Sequence, residues 1–382
     1  MGPNPVVGVL FHWLGGLASA SNFIPFRGIK RWSWEIYWII QGVAAWLIAP
    51  LVLASLLVPH LLGVFRSAPP SSIEYAMFWG CLWGVGGLTF GLAIRYLGIG
   101  LGYAIALGFC TAFGTLIPPF YHGQMRSILH ERPGQVILFG VLMCLIAIAV
   151  SGAAGYYKEA DITEEHKAEA GERDFSFAKG LAVAVFAGIM SSFFAVGLDA
   201  GKPLGEVARL RLLADGRADL WQNLPVLVVV LWGGFATNLI WSVFLIVRNR
   251  SVAQFAGEPR VDPLEVATPE NNLSRTFDGQ VQRNRIEGRV LLRNYLLAAL
   301  AGIIWYFQFF FYSMGTTRMG KYDFSSWTLH MASIIIFATL WSIALHEWKG
   351  TSRRTRLLVG CGLFLLVGST VVVGYGSYLK AH

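Results

Sequence analysis

Charge is scarce in this chain. Of its 382 residues only 14% are Asp, Glu, Lys or Arg, against roughly 25% in an average soluble domain. So few charges cannot cover a water-facing surface. Cysteine is scarcer still: Cys81, Cys110, Cys144 and Cys361 each lie in an apolar run, where they read as small packing residues. No disulfide framework, metal site or bound cofactor is implied. Also missing is the alternation of apolar and polar residues over about ten positions that marks a transmembrane barrel. A P-loop, a nucleotide fingerprint and a nucleophile–base constellation are absent too, which argues against ATP hydrolysis, an enzyme or a sensor with a soluble output domain. The run Gly98-Ile99-Gly100-Leu101-Gly102 follows no strand, so it reads as a tight helical hairpin rather than a phosphate cradle. Ala18-Ser19-Ala20 resembles a cleavage site, yet no Lys or Arg precedes it, so the first apolar run is expected to stay as a helix.

What the chain has is apolar and aromatic surface: 55% hydrophobic residues, with 14 Trp, 13 Tyr and 26 Phe, and a mean hydropathy of +0.55. That composition defines an all-α integral membrane protein. Against the roughly 20 residues needed to cross a bilayer, the apolar runs predict ten transmembrane helices. Their expected limits are 6–26, 33–58, 74–95, 100–120, 134–155, 177–200, 222–247, 290–314, 325–346 and 356–378. Residues 156–176 read as a polar linker or short surface helix, and 249–289 as a long loop without a packed domain of its own.

The net charge of +8 does not point to nucleic acid. Loops after the odd-numbered helices hold 20 Lys and Arg, and the remaining loops and tails hold 10. The positive-inside bias puts the first set, including 249–289, in the cytoplasm and both termini outside.

One run carries a polar group where hydrocarbon is expected. In Ala299 to Gly315, Gln308 sits at the middle, and a helix places Trp305, Gln308 and Tyr312 on one face. An amide in hydrocarbon costs a few kcal/mol unless something hydrogen-bonds it. A polar group flanked by aromatic rings suits a sugar. The other reading is lipid-facing rings with Gln308 as an interhelical tie. Asp323, Trp327 and His330 likewise share a face of the next helix, where Asp323 reads either as a cavity carboxyl or as a helix cap at the membrane edge. On the first helix, Gly8, His12, Gly15, Ser19, Asn22 and Phe26 form a narrow stripe. Its small residues permit close helix contact, while His12 and Asn22 exceed what packing requires. Trp13 beside it either stacks or anchors at the interface.

The ten helices also contain a weak internal repeat. A shift of 172 residues aligns Gly8 with Gly180, Gly16 with Gly188 and Lys30 with Lys202; a shift of 222 aligns Gly80 with Gly302 and Trp83 with Trp305. Two five-helix halves are expected, residues 1–155 and 177–382. Since five is odd, they insert with opposite orientation, the architecture of alternating-access carriers.

The pieces GVLFHWLGGLASASNFIPFRGIKRWSWE, WGCLWGVGGLTFGLAIRYLG, GIIWYFQFFFYSMG and YDFSSWTLHM resemble the L-rhamnose/proton symporters of the drug/metabolite transporter superfamily. The resemblance runs from about Gly8 to Trp348. It implies import of L-rhamnose or a related deoxy sugar, driven by protons, across a bacterial inner membrane, with sugar, protons and lipid as the partners. An exporter or exchanger of another small metabolite on the same scaffold stays open. His12, Trp305, Gln308, Tyr312, Trp327 and His330 are the expected substrate contacts. Glu35 and Asp323 are the candidate coupling carboxyls, because a carboxyl shielded from water loads a proton near neutral pH. Arg95 either poises such a carboxyl or marks the interface. Asn22 and Asp199 depart from the family's pattern, which usually has an amide at the latter position; an Asp199 that reaches the cavity would shift preference away from rhamnose.

Overall fold

The structure, a computed structural model, describes residues 4–97, 99–166, 177–259, 285–346 and 348–381. Among these, no strand occurs. The long helices are labelled α1 (Pro5–Ser21), α2 (Trp34–Leu57), α3 (Pro70–Leu97), α4 (Ile99–Tyr121), α5 (Arg132–His166), α6 (Phe177–Ala200), α7 (Leu224–Arg248), α8 (Gly288–Thr316), α9 (Ser326–Ala344) and α10 (Arg353–Ala381). Eight helices among the described residues are long and apolar enough to cross a membrane. They are α1 with the turn Phe23–Phe26 that follows it, α2, and α5 to α10. Helices α3 and α4 stand where the third and fourth spans are expected, and both are predominantly apolar in sequence.

Local chemistry sets the ends and the one irregularity. Asn4 caps α1 by accepting from the Val7 amide at 3.2 Å, with Pro5 at the first helical position. Inside α2, Val43–Ile48 widens to a π-turn. Pro50 lies just beyond, lacking the N–H that an α-turn would offer to Trp46 and crowding that carbonyl. The extra residue per turn relieves the clash, and the Trp46 ring lies against Gly42.

Helix α1 packs on α8 and α9, and α6 packs on α3 and α4. Helix α3 meets α7, and α8 meets α2. Further contacts join α2 with α7, α3 with α4, α4 with α5, α9 with α10, and α5 with α10. Two close approaches depend on glycine. A Cβ at Gly80 of α3 would collide with the Val230 carbonyl of α7, and one at Gly302 of α8 with the Gln41 carbonyl of α2. Trp46, Trp83, Trp305, Phe194 and Phe309 fill the middle. Leu10, Leu56, Ile240, Leu296 and Phe364 face outward in the open, a surface suited to lipid.

The polar segments differ from expectation. Helix α5 continues beyond residue 155 to His166, because Lys158 to His166 is rich in residues that favour helix; 167–176 lie outside the described residues. The start of the long loop is packed rather than free. Val252–Ala256 forms a 3-10 turn whose Gln254 carbonyl accepts from the Trp32 indole at 3.0 Å. Residues 260–284 lie outside the described residues.

Candidate functional site

A cavity of about 510 Å³ enters the protein from the face that carries Asn4 and Arg318. Its wall comes from the ends of α4, α6 and α8, the start of α9, and the connection from Lys202 to Val226. At its inner end are Tyr312 of α8 and Trp327 of α9, whose ring centroids are 5.8 Å apart and nearly perpendicular. The Trp327 indole donates to the Cys110 carbonyl at 3.0 Å, which fixes the ring against α4. Thr115 and Thr328 hydrogen-bond between the same helices at 2.7 Å.

The mouth is charged. Lys202 reaches Asp199 at 2.9 Å and Asp323 at 3.0 Å, and His122 reaches the other Asp199 oxygen at 2.6 Å. Burial disfavours the lysine's charge, but Asp323 and Asp199 outweigh it and hold its pKa above the ordinary 10.5. Lys202 is therefore an ammonium ion at any physiological pH. Asn223 donates to Thr316 Oγ1 at 3.0 Å, and Glu206 is held by a two-pronged hydrogen bond from Arg209 at 2.6 and 2.7 Å. That bond draws the Glu206 carboxyl below its usual range.

Of the expected site residues, Asp199, Tyr312, Asp323 and Trp327 line this cavity. Asp323 does not cap α9: the cap position is Ser325, and Asp323 turns to Lys202 instead. Trp305 lies deeper among Trp46, Trp83 and Phe309. Gln308 is 4% exposed, with its Nε2 lacking a partner. Its placement in the protein interior excludes a lipid-facing position. His12 and His330 are fully buried behind the cavity wall, each about 5 Å from the Tyr312 ring. Asn22 is buried at the C-terminal end of α1. Trp13 packs edge-on to Phe337 at 5.9 Å. The Arg95 side chain lies outside the described residues.

Glu35 sits on the opposite face, away from the cavity. Its Oε1 accepts from Asn249 at 3.0 Å and Ser251 at 3.1 Å. Alongside, Ser33 donates to Gln254 at 2.7 Å, and Asn294 donates to the Lys30 carbonyl at 2.8 Å. These bonds close that face while the other stands open.

His122, Lys202, Gln222 and Asn223 are cavity residues that the sequence reading missed. Lys202 carried a signal, since it lies three residues after Asp199 and so shares its side of a helical turn. His122 carried none, because its partner is 77 positions away.

The architecture is that of a multi-pass helical membrane protein with a cavity that opens on one face and has charged residues at its mouth. The chain belongs to the L-rhamnose-proton symport protein family, whose model matches residues 1–268 and 271–378. It is 33% identical to the L-rhamnose-proton symporter of Cronobacter sakazakii (strain ATCC BAA-894), over 97% of each chain. It is 31% identical to that of Klebsiella pneumoniae (strain 342) and 32% identical to that of Salmonella gallinarum (strain 287/91 / NCTC 13346), again over 97% of each.

Proposed function

We propose that this chain imports L-rhamnose, or a closely related deoxy sugar, together with protons across a bacterial inner membrane by alternating access. The observation that carries the reading is the match to L-rhamnose-proton symporters over 97% of both chains. A relationship spread over every long helix includes the cavity wall and the closed face alike.

The contacts support a carrier made of two inverted five-helix halves, with α3 and α4 as spans. Helix α1 packs on α8 and α9 as α6 packs on α3 and α4, and α2 meets α8 as α7 meets α3. Adding or subtracting five converts each pairing into the other. On this reading the charge bias puts both termini and the cavity mouth in the periplasm, and the Glu35 face in the cytoplasm. The cavity is within the roughly 300–1,000 Å³ of small-molecule sites, and it pairs stacking rings with hydroxyl partners. Tyr312 and Trp327 would cover the sugar's C–H faces, and Asp199, Asp323 and Asn223 would take its hydroxyls.

Proteoliposomes test the reading directly. An inward proton gradient should drive accumulation of labelled L-rhamnose; one proton entering across 100 mV supplies about 2.3 kcal/mol. Equal uptake with and without the gradient would refute symport. A second reading, exchange or export of another small metabolite, is favoured by one observation: the Asp199 carboxylate does line the cavity. Binding measured across deoxyhexoses, hexoses and pentoses separates the two.

A further inference from the structure

Behind the inner end of the cavity are two imidazoles with nothing to bond to. His12 of α1 and His330 of α9 are both 0% exposed, and none of their four ring nitrogens has a hydrogen-bond partner. A neutral imidazole has one N–H donor and one lone-pair acceptor, so two donors and two acceptors are buried idle. Burying a polar group without a partner is costly. Two such imidazoles against one tyrosine ring leave four nitrogens free to take up or release a proton.

Close packing hems both rings in. A Cβ at Gly315 would lie 2.7 Å from the His12 ring, and one at Gly15 would lie 3.4 Å from the His330 ring. Glycine at position 315 is what lets the His12 ring seat, and the His330 ring lies in contact distance of Gly15. Tyr312 contacts both rings, with centroids 5.3 and 5.1 Å away, while also lining the cavity. The charged groups nearest the rings stand on the far side of it: Asp199, Lys202 and Asp323, joined in one chain of ion pairs. Toward the N-terminus of α1, Arg318 lies beside Gly8 and is paired with Asp219 at 3.2 Å. Helix α10 meets α1 through Gly374 against Val9, and α4 meets α9 through Cys110 and Thr115, which offer no charge.

Resting on the symport reading, we propose that His12 and His330 together are the carrier's proton-binding element, taking up one proton in total on one ring or the other. Tyr312 is the wall through which that proton and the sugar sense each other. Two imidazolium ions against the same tyrosine ring would repel in a dry interior, so the pair takes one proton and not two. Loading forms one N–H bond from a ring-nitrogen lone pair; hydronium in the cavity supplies the proton and is left as water. Unloading to the opposite face reverses this. Glu35, on that opposite face and already satisfied by Asn249 and Ser251, then serves the seal and not the proton.

The test uses the purified full-length carrier and L-rhamnose, titrated calorimetrically in buffers of differing ionisation enthalpy. Wild type should take up as much as one proton per sugar bound. His12→Gln and His330→Gln should each bind the sugar within about threefold of wild type without that uptake. In proteoliposomes both should lose gradient-driven accumulation and keep sugar-for-sugar exchange. Retained proton uptake and accumulation in both variants would overturn the assignment. So would loss of sugar binding along with the uptake, which would make the rings sugar ligands. Ring-labelled histidine NMR of the wild type decides the case even if the variants do not fold: rhamnose at constant pH should change the protonation of these two rings, and no change overturns the proposal. A wild type that binds no rhamnose fails the symport reading instead.

Discussion

Trp83 and Trp305, aligned by the 222-residue shift, touch each other: their ring centroids are 6.1 Å apart and their planes 30° from parallel. Equivalent positions of two inverted halves meet only near the axis that relates them, so this contact marks the middle of the proposed repeat. Trp46, held by its π-turn, packs edge-on to both rings, at 6.2 Å from Trp83 and 5.5 Å from Trp305. Trp305→Ala should cost about 3 kcal/mol of stability through the cavity it leaves. Trp305→Phe should cost clearly less, as read from thermal unfolding in detergent.

Gly302→Val tests the close approach of α8 to α2, where the added side chain meets the Gln41 carbonyl and Ala44. Backbone cannot move aside as a side-chain tip can. The yield of folded protein on size exclusion should fall far below that of Gly360→Val, a position with nothing within 4 Å.

Glu35→Ala removes the acceptor for two donors, and Ser251 is only 3% exposed. Leaving buried donors unmade costs about 1–3 kcal/mol. The closed face should loosen, giving faster amide exchange over residues 249–256 and faster maleimide labelling of a Ser33→Cys reporter. Unchanged rates in both would remove Glu35 from the seal.

Lys202 supplies a pH prediction with a definite sign. Its pKa is raised above 10.5 in the folded protein by Asp323 and Asp199 against the opposing effect of burial. Its contribution to stability is therefore fully present below pH 10.5 and lost as pH rises through the higher folded value. The lysine side chain is 55% exposed, so solvent screening limits that contribution to about 1 kcal/mol or less. Lys202→Met should lower the unfolding temperature by a constant small amount from pH 6 to 9, and the gap should close in strong alkali. A gap that widened in alkali would contradict the ion-pair assignment.

Trp327→Ala should weaken sugar binding about tenfold, the loss expected for one stacking face of about 1.4 kcal/mol. Trp327→Phe keeps a ring but loses the bond to the Cys110 carbonyl, and should cost less affinity than the alanine. Equilibrium binding to the purified carrier measures both.

The sequence was sufficient for the class and for the positions of the long helices, because crossing a bilayer demands continuous apolar runs and those need no tertiary information. It also disclosed the stripe on α1, since a period of 3.6 is local, and glycines such as Gly80 and Gly302, whose suitability for close contact is written in the residue type. What it left open was direction. A helical face can turn to a cavity, to a neighbouring helix or to lipid with the same spacing, and only packing chooses. That choice put Tyr312 and Trp327 on the cavity wall, and it sent Gln308, His12 and His330 behind it. It carried Glu35 to the other end of the molecule. It joined His122 to Asp199 across 77 residues, a pairing that no local pattern encodes. Burial and charge depend on what the rest of the chain brings alongside, and that was decided by the tertiary structure alone.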